Sequence, residues 1–221
     1  MDIRLPSVAG TFYPASEVAL HDDVEAYLSA VPPLPRSRPK AIIAPHAGYI
    51  YSGPVAAFAY AAVRPYAEQI HRVVLLAPAH RLPFRGLAVP SVDVFRTPLG
   101  DVPVDRAGVN RLLELPAVQT IDRAFDNEHA IEVQLPFLQE VLGEFSLVPV
   151  VVGMADDGDA AAAIEALWDG EETLFVVSSD LSHYLDYQTA RARDARTREA
   201  IEHLAPEHLA GDDACGYLPV R

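Results

Sequence analysis

Arg72-Val-Val-Leu-Leu-Ala-Pro-Ala-His80 is the stretch that decides how this chain folds. Its side chains are apolar without polar alternation, the mark of a strand buried on both faces in the parallel sheet of an α/β protein. Two further stretches repeat the pattern: Lys40-Ala-Ile-Ile-Ala-Pro-His46, and Thr173-Leu-Phe-Val-Val-Ser-Ser-Asp-Leu-Ser-His183. Each run closes on a histidine. Sheets of this type bind ligands beyond the carboxyl ends of their strands. Neighbouring strands lie about 4.8 Å apart, so imidazoles leaving nearby strand ends can converge on one point as metal ligands or as acid/base groups.

The surrounding chain supports an α/β reading. Gly53 to Arg64 is Ala-rich and starts with a Gly-Pro pair, so a helix is expected there. Gly86 to Pro90 and Val92 to Phe95 read as short strands, with antiparallel pairing expected in this region, followed by a turn at Thr97-Pro-Leu-Gly100 and a short helix from Asp105. Glu128 to Gly143 has helical spacing. Pro136 removes a backbone donor there, so a kink is expected, with regular helix from near Leu135. Ser146 to Gly153 reads as another buried strand, Asp159 to Trp168 and Thr189 to Leu204 as helices, and Leu174 to Val177 as the strand that leads to Asp180 and His183. Strand and helix alternate, which predicts an α/β sandwich with a largely parallel, mixed central sheet flanked by helices.

With 221 residues, the chain fits one or two domains by the usual length of about 150 residues each. One is expected, because the only Pro-dense segment, Val31 to Lys40, lies too near the N-terminus to separate two cores. Met1-Asp-Ile-Arg-Leu-Pro lacks a signal-peptide pattern, and no apolar run approaches the roughly 20 residues of a membrane span, so a soluble, cytoplasmic protein is expected. The single cysteine, Cys215, excludes an intrachain disulfide and suits a reducing compartment. A formal charge of −14 argues against nucleic-acid or anionic-membrane partners.

His46 and His80 share a local arrangement, with proline shortly before the histidine, and form the strongest pair. In Ser178-Ser-Asp-Leu-Ser-His-Tyr184, Asp180 and His183 could be ligand and base, or an orienting carboxylate and the imidazole it holds. The competing reading makes Ser179 or Asp180 the cap of a turn running through His183. A serine hydrolase ranks lower, because no G-x-S-x-G elbow is present. His129 and Glu132 are spaced for one helix face if the segment is helical, but it is not H-E-x-x-H, so the zinc-protease reading fails, although His129 could still line a pocket. Glycine-rich phosphate-binding motifs are absent. His21, His71, His203 and His208 sit among charged residues and read as solvated.

Six motifs in order carry a family resemblance: Phe12-Tyr-Pro14; Ala44-Pro-His-Ala-Gly-Tyr49; Tyr51-Ser-Gly53; Thr97-Pro-Leu-Gly100; Glu128-His129 with Glu132-Val-Gln-Leu-Pro-Phe137; and Ser178-Ser-Asp-Leu-Ser-His-Tyr184. Together they resemble the Memo family, named for a mediator of receptor-driven cell motility. Its microbial members (AmmeMemoRadiSam system protein B) are often encoded near a radical SAM enzyme, which implies a functional link to one. The resemblance implies a fold like the class III extradiol dioxygenases, which hold non-haem Fe(II) at strand ends. Carried over by motif, it makes His46, His80 and Cys215, in Asp213-Ala-Cys-Gly216, the metal ligands, with Asp180 and His183 as catalytic groups in the same pocket.

The dioxygenases use a glutamate where this chain offers a cysteine. A thiolate is softer, so the set suits copper or zinc as well as Fe(II). The expected function is therefore metal binding with a redox role on a small-molecule or peptide ligand in the strand-end pocket; the alternative is a noncatalytic module that reuses the pocket to grip such a ligand. Family members usually continue past the cysteine motif, whereas this chain stops at Arg221, so residues 1–221 are expected to form one Memo-like domain, truncated at its C-terminus relative to the family.

Overall fold

Apolar runs of this kind bury themselves by pairing side by side, and the computed structural model, which describes residues 1–34 and 37–221, shows them doing so. Pro35 and Arg36 of the Pro-dense segment lie outside the described residues. The strands are β1 (Ile3–Arg4), β2 (Ala41–Ala44), β3 (Arg72–Pro78), β4 (Leu87–Val89), β5 (Val94–Thr97), β6 (Gly100–Pro103), β7 (Val118–Thr120), β8 (Ser146–Val152) and β9 (Thr173–Ser178). The helices are α1 (Glu17–Ser29), α2 (Tyr49–Val63), α3 (Arg106–Leu112), α4 (His129–Glu132), α5 (Leu135–Leu142), α6 (Asp157–Leu167), α7 (Tyr187–Glu202) and α8 (Tyr217–Val220).

The main sheet has the order β2-β9-β3-β8-β4-β7. β2, β9, β3 and β8 run parallel, β4 is antiparallel to β8, and β7 is parallel to β4. Every residue of β3 from Val73 to Pro78 is buried, as is all of β9, which is why neither alternates in sequence. Burying a side chain such as Leu75 or Leu76 contributes about 1.5–3 kcal/mol. A smaller sheet, β1-β5-β6, contains the hairpin turned at Thr97 to Gly100. Helices α1, α2 and α5 pack on one another, and α3 packs on α6. One hydrophobic cluster runs from Val8 to Val176, so the molecule is a single mixed α/β domain with its sheets flanked by helices. Among the described residues, no helix is long and apolar enough to cross a membrane.

Several expectations needed adjusting. α2 begins at Tyr49, a turn before Gly53, so Pro54 falls inside it; the carbonyl that Pro54 leaves without a helical donor belongs to Ile50, on the exposed side. β4 and β5, read as neighbours, belong to different sheets, and the antiparallel partner of each is another strand. Pro136 does break the Glu128 to Gly143 helix. α4 is a single turn and α5 restarts at Leu135, with Pro136 at a position where no helical donor is required. No helix runs through His183: Asp186, not Ser179 or Asp180, is the cap that starts α7, accepting from the N–H groups of Gln188 and Thr189.

Candidate metal centre

β2 ends at Ala44, opposite Ser178 at the end of β9, and Pro45, which has no N–H, stops the ladder there. His46 follows and is buried. β3 lies on the other side of β9, so His46 and His80 leave strands separated by one neighbour and lean towards each other over its end. Their ring centroids are 5.1 Å apart, edge to face. The third group comes from far along the chain. Cys215 Sγ lies 3.2 Å from His46 Nε2, and the main chain of Asp180 brackets the cysteine: its N–H donates to Sγ at 3.2 Å and its carbonyl accepts from the Cys215 N–H at 3.2 Å. Gly216 permits this approach, since a Cβ there would sit 2.7 Å from Ser179 Cβ and 2.8 Å from the Ser178 carbonyl oxygen.

His80 is held from behind by Glu128. The His80 main-chain N–H donates to Oε2 at 2.6 Å, and ring Nδ1 lies 2.9 Å from Oε1. A carboxylate only accepts, so Nδ1 carries a proton and Nε2 is the nitrogen turned towards Cys215. Burial lowers the His80 pKa, but the bonds to Cys215 and Glu128 and their charges prevail and raise it to about 9, so an ion would take the place of the Nε2 proton. Burial works against ionisation of Glu128. The His80 ring and the main-chain N–H groups of His80 and Ala130 outweigh it and hold the carboxyl below its usual range. His129 stacks on His80 with centroids 4.8 Å apart and packs edge-on to His46 at 5.4 Å. Burial, reinforced by His46 and His80, pushes its pKa down to about 4 against the pull of Glu128, so the ring is neutral, and its Nδ1 is buried without a hydrogen-bond partner.

Two sets of side chains among the described residues bring three donor atoms within 4.8 Å of one another: His46, His80 and Cys215; and His80, Glu128 and His129. The first is the freer set, because both oxygens of Glu128 are already taken by N–H donors. Two imidazole nitrogens and a sulfur, with the far side of each ring anchored, match the donor chemistry of a soft or borderline divalent ion. Asp180 and His183 lie beside this group and outside it. Asp180 Oδ1 caps the N–H groups of His46 and Ala47 at 2.7 and 3.3 Å, while Oδ2 is 3.9 Å from both His46 Nε2 and His183 Nε2. His183 is 44% exposed.

The sequence reading missed Glu128 as the anchor of His80. Its signal in the sequence was the Glu128-His129 motif; Asn127 just before it has a φ of 55°, a conformation that asparagine adopts more readily than most residues. Glu132, expected to share a face with His129, turns away from it. Its carboxylate accepts from the Ser7 N–H and hydroxyl, both at 2.7 Å, the Val8 N–H at 2.9 Å and the Tyr13 hydroxyl at 2.6 Å.

Burial opposes ionisation of the Cys215 thiol, but its contacts with His46 and His80 prevail and bring its pKa down to about 6, the thiol proton passing to an imidazole Nε2 that then donates to the thiolate. In metal-free protein, the rate of alkylation by iodoacetamide is therefore expected to be nearly flat above pH 7 and to fall as pH drops through about 6. An ordinary cysteine loses reactivity around its pKa of about 8.5. A midpoint near that ordinary value would show that the imidazoles do not hold the thiolate.

An α/β domain that gathers imidazoles and a thiol over the carboxyl ends of parallel strands belongs to the class of folds that carry a ligand or ion at that edge. The particular family follows from comparison. The chain matches the model of a family described as Memo-like protein over residues 4–215, a span that includes His46, His80 and Cys215. It is 37% identical over 198 residues to a MEMO1 family protein of Aquifex aeolicus, covering 88% of this chain and 72% of the relative. A MEMO1 family protein of Methanococcoides burtonii is 37% identical over 203 residues, covering 87% and 72%. Protein MEMO1 of Homo sapiens is 35% identical over 189 residues, covering 82% of this chain and 63% of the human protein. The chain belongs to the Memo family.

Proposed function

We propose that this protein binds one metal ion and has a redox role, with His46 Nε2, His80 Nε2 and Cys215 Sγ as its donors and Fe(II) or copper as the ion. One observation carries the reading: these three side chains place donor atoms within 4.8 Å of one another at the strand ends. Bound iron or copper would supply an electron couple, which zinc, an equally acceptable occupant by donor type, lacks.

The chain's own residues do the rest. Glu128 fixes the His80 ring and makes it a better donor. Asp180 places a carboxylate oxygen between His46 and the half-exposed His183, so His183 can exchange a proton with solvent and pass it towards the centre as the acid/base group. A cavity of about 500 Å³ opens beside Cys215, walled by Pro78, Leu82, Phe84, Val152, Met154 and Leu218. Arg85 and Asp156 also line it, and a cavity of this volume with mixed apolar and polar walls suits a small-molecule ligand. A cysteine donor also fits a reducing, cytoplasmic setting.

Elemental analysis of protein purified without oxygen or chelator tests the reading. The expected result is one equivalent of iron or copper in the wild type, lost from His46→Ala and His80→Ala variants that keep the wild-type circular dichroism. Unchanged metal in those variants would refute the ligand assignment. A metal-free wild type would put the noncatalytic ligand-binding module in its place.

A further inference from the structure

We infer that Ser178, backed by Gln134, is the positioning residue of His46 and determines which of its ring nitrogens faces Cys215. The consequence for metal affinity rests on the function proposed above, whereas the tautomer itself does not. Ser178 is fully buried at the end of β9, which removes it from consideration as a solvent-accessible nucleophile. Its hydroxyl has one proton and two acceptor lone pairs, and the neighbouring groups account for all three.

Ser178 Oγ lies 2.6 Å from the Ala130 carbonyl oxygen, which can only accept, so the hydroxyl proton points there. Gln134 Nε2 lies 2.9 Å from the same Oγ. The orientation of that amide is settled by its other contacts: Nε2 faces the carbonyl oxygens of Pro45 at 3.0 Å and Ala44 at 3.3 Å, and the Tyr60 hydroxyl donates to Oε1 at 2.7 Å. Gln134 therefore donates to Ser178 and fills one lone pair. The other faces His46 Nδ1 at 2.8 Å, and only an N–H satisfies it. His46 is thus protonated on Nδ1, which leaves Nε2, 3.2 Å from Cys215 Sγ, to share the thiol's proton in the metal-free protein and to offer its lone pair to an ion once that proton leaves.

Gln134 also bridges the exit of β2 to the end of β9, where the two strands part and Pro45 offers no N–H of its own. The two histidines of the centre consequently have unlike supports, a buried carboxylate behind His80 and a neutral hydroxyl behind His46. In a Ser178→Ala protein the Nδ1–H would be buried without an acceptor. The proton would move to Nε2, where it blocks the lone pair that an ion needs.

The test combines two readouts on Ser178→Ala and the hydroxyl-retaining Ser178→Thr. Nitrogen NMR of the labelled imidazoles in metal-free protein, with His46 assigned through a His46→Gln variant, reads the proton position. Competition with a chelator reads zinc affinity. The wild type is expected to show a protonated His46 Nδ1. Ser178→Ala should move the proton to Nε2 and weaken zinc binding about 10- to 100-fold, and Ser178→Thr should restore both.

A wild-type His46 without a proton on Nδ1 would overturn the inference, and so would a folded Ser178→Ala with unchanged His46 signals. If Ser178→Ala does not fold, the wild-type and Ser178→Thr spectra still decide, because both must show the protonated Nδ1. The expected NMR pattern in a wild type that binds no metal would sink the proposed function and leave the positioning role standing.

Discussion

A Glu128→Gln protein is expected to bind zinc about 10- to 100-fold more weakly than the wild type in chelator competition, the usual effect of losing the group that anchors a histidine ligand. Glu128 is buried, and its oxygens accept the His80 ring N–H, the His80 main-chain N–H and the Ala130 N–H at 2.9, 2.6 and 3.1 Å. Glutamine offers one acceptor oxygen and turns an NH2 group towards at least one of these donors. A buried donor left without an acceptor costs about 1–3 kcal/mol, so urea unfolding should register a loss of that size as well. An affinity equal to the wild type would show that the ion does not depend on the His80 ring held by Glu128.

The largest loss of stability is expected at Glu132, where replacement by alanine should cost about 3–5 kcal/mol. Its carboxylate accepts hydrogen bonds from Ser7, Val8 and Tyr13 and ties the N-terminal segment to α4 across more than a hundred residues. Burial, then the charge of Glu132, pushes the Tyr13 phenol well above its ordinary value, so the hydroxyl stays a donor at any working pH. The same segment carries Phe12, whose ring lies 4.7 Å from that of His129, so release of Ser7 to Tyr13 should also loosen the wall of the candidate metal centre. The midpoint of urea unfolding should fall with little change in slope. A change below about 1 kcal/mol, the value of an ordinary exposed contact, would show that the segment is held by other means.

The strands around the centre were legible because β3, β8 and β9 are buried on both faces and so read as uninterrupted apolar runs. The order β2-β9-β3 was not. It depends on pairing between segments about 100 to 130 residues apart, such as Arg72 with Thr173 and Ala44 with Ser178, and no local pattern encodes which run lies beside which. β1 escaped notice because a two-residue strand has no periodicity to read. The strand-end histidines pointed to a site from sequence, whereas Cys215 was reached only through resemblance, since a lone cysteine more often fills space.

Spacing misled most where the partners are distant. Glu132 and His129 looked like a pair on one helix face, yet Glu132 answers to Ser7 and Tyr13, and α4 ends after one turn. Ser178 could be weighed from sequence only as a hydrolase serine, and its neighbours turn out to be Ala130, Gln134 and His46. Asp180 and His183 do come near each other, at 3.9 Å, across an irregular loop instead of along the expected turn.

Cobalt(II) titration of the metal-free protein tests the central claim most directly, because a cobalt–thiolate bond absorbs in the near ultraviolet by sulfur-to-metal charge transfer and no nitrogen or oxygen donor reproduces that band. The account predicts a charge-transfer band that saturates at one cobalt per chain, is absent in Cys215→Ser, and fails to saturate in His46→Ala and His80→Ala. Cobalt bound without the band, or a band of full strength in either histidine variant, would contradict a centre built from His46, His80 and Cys215.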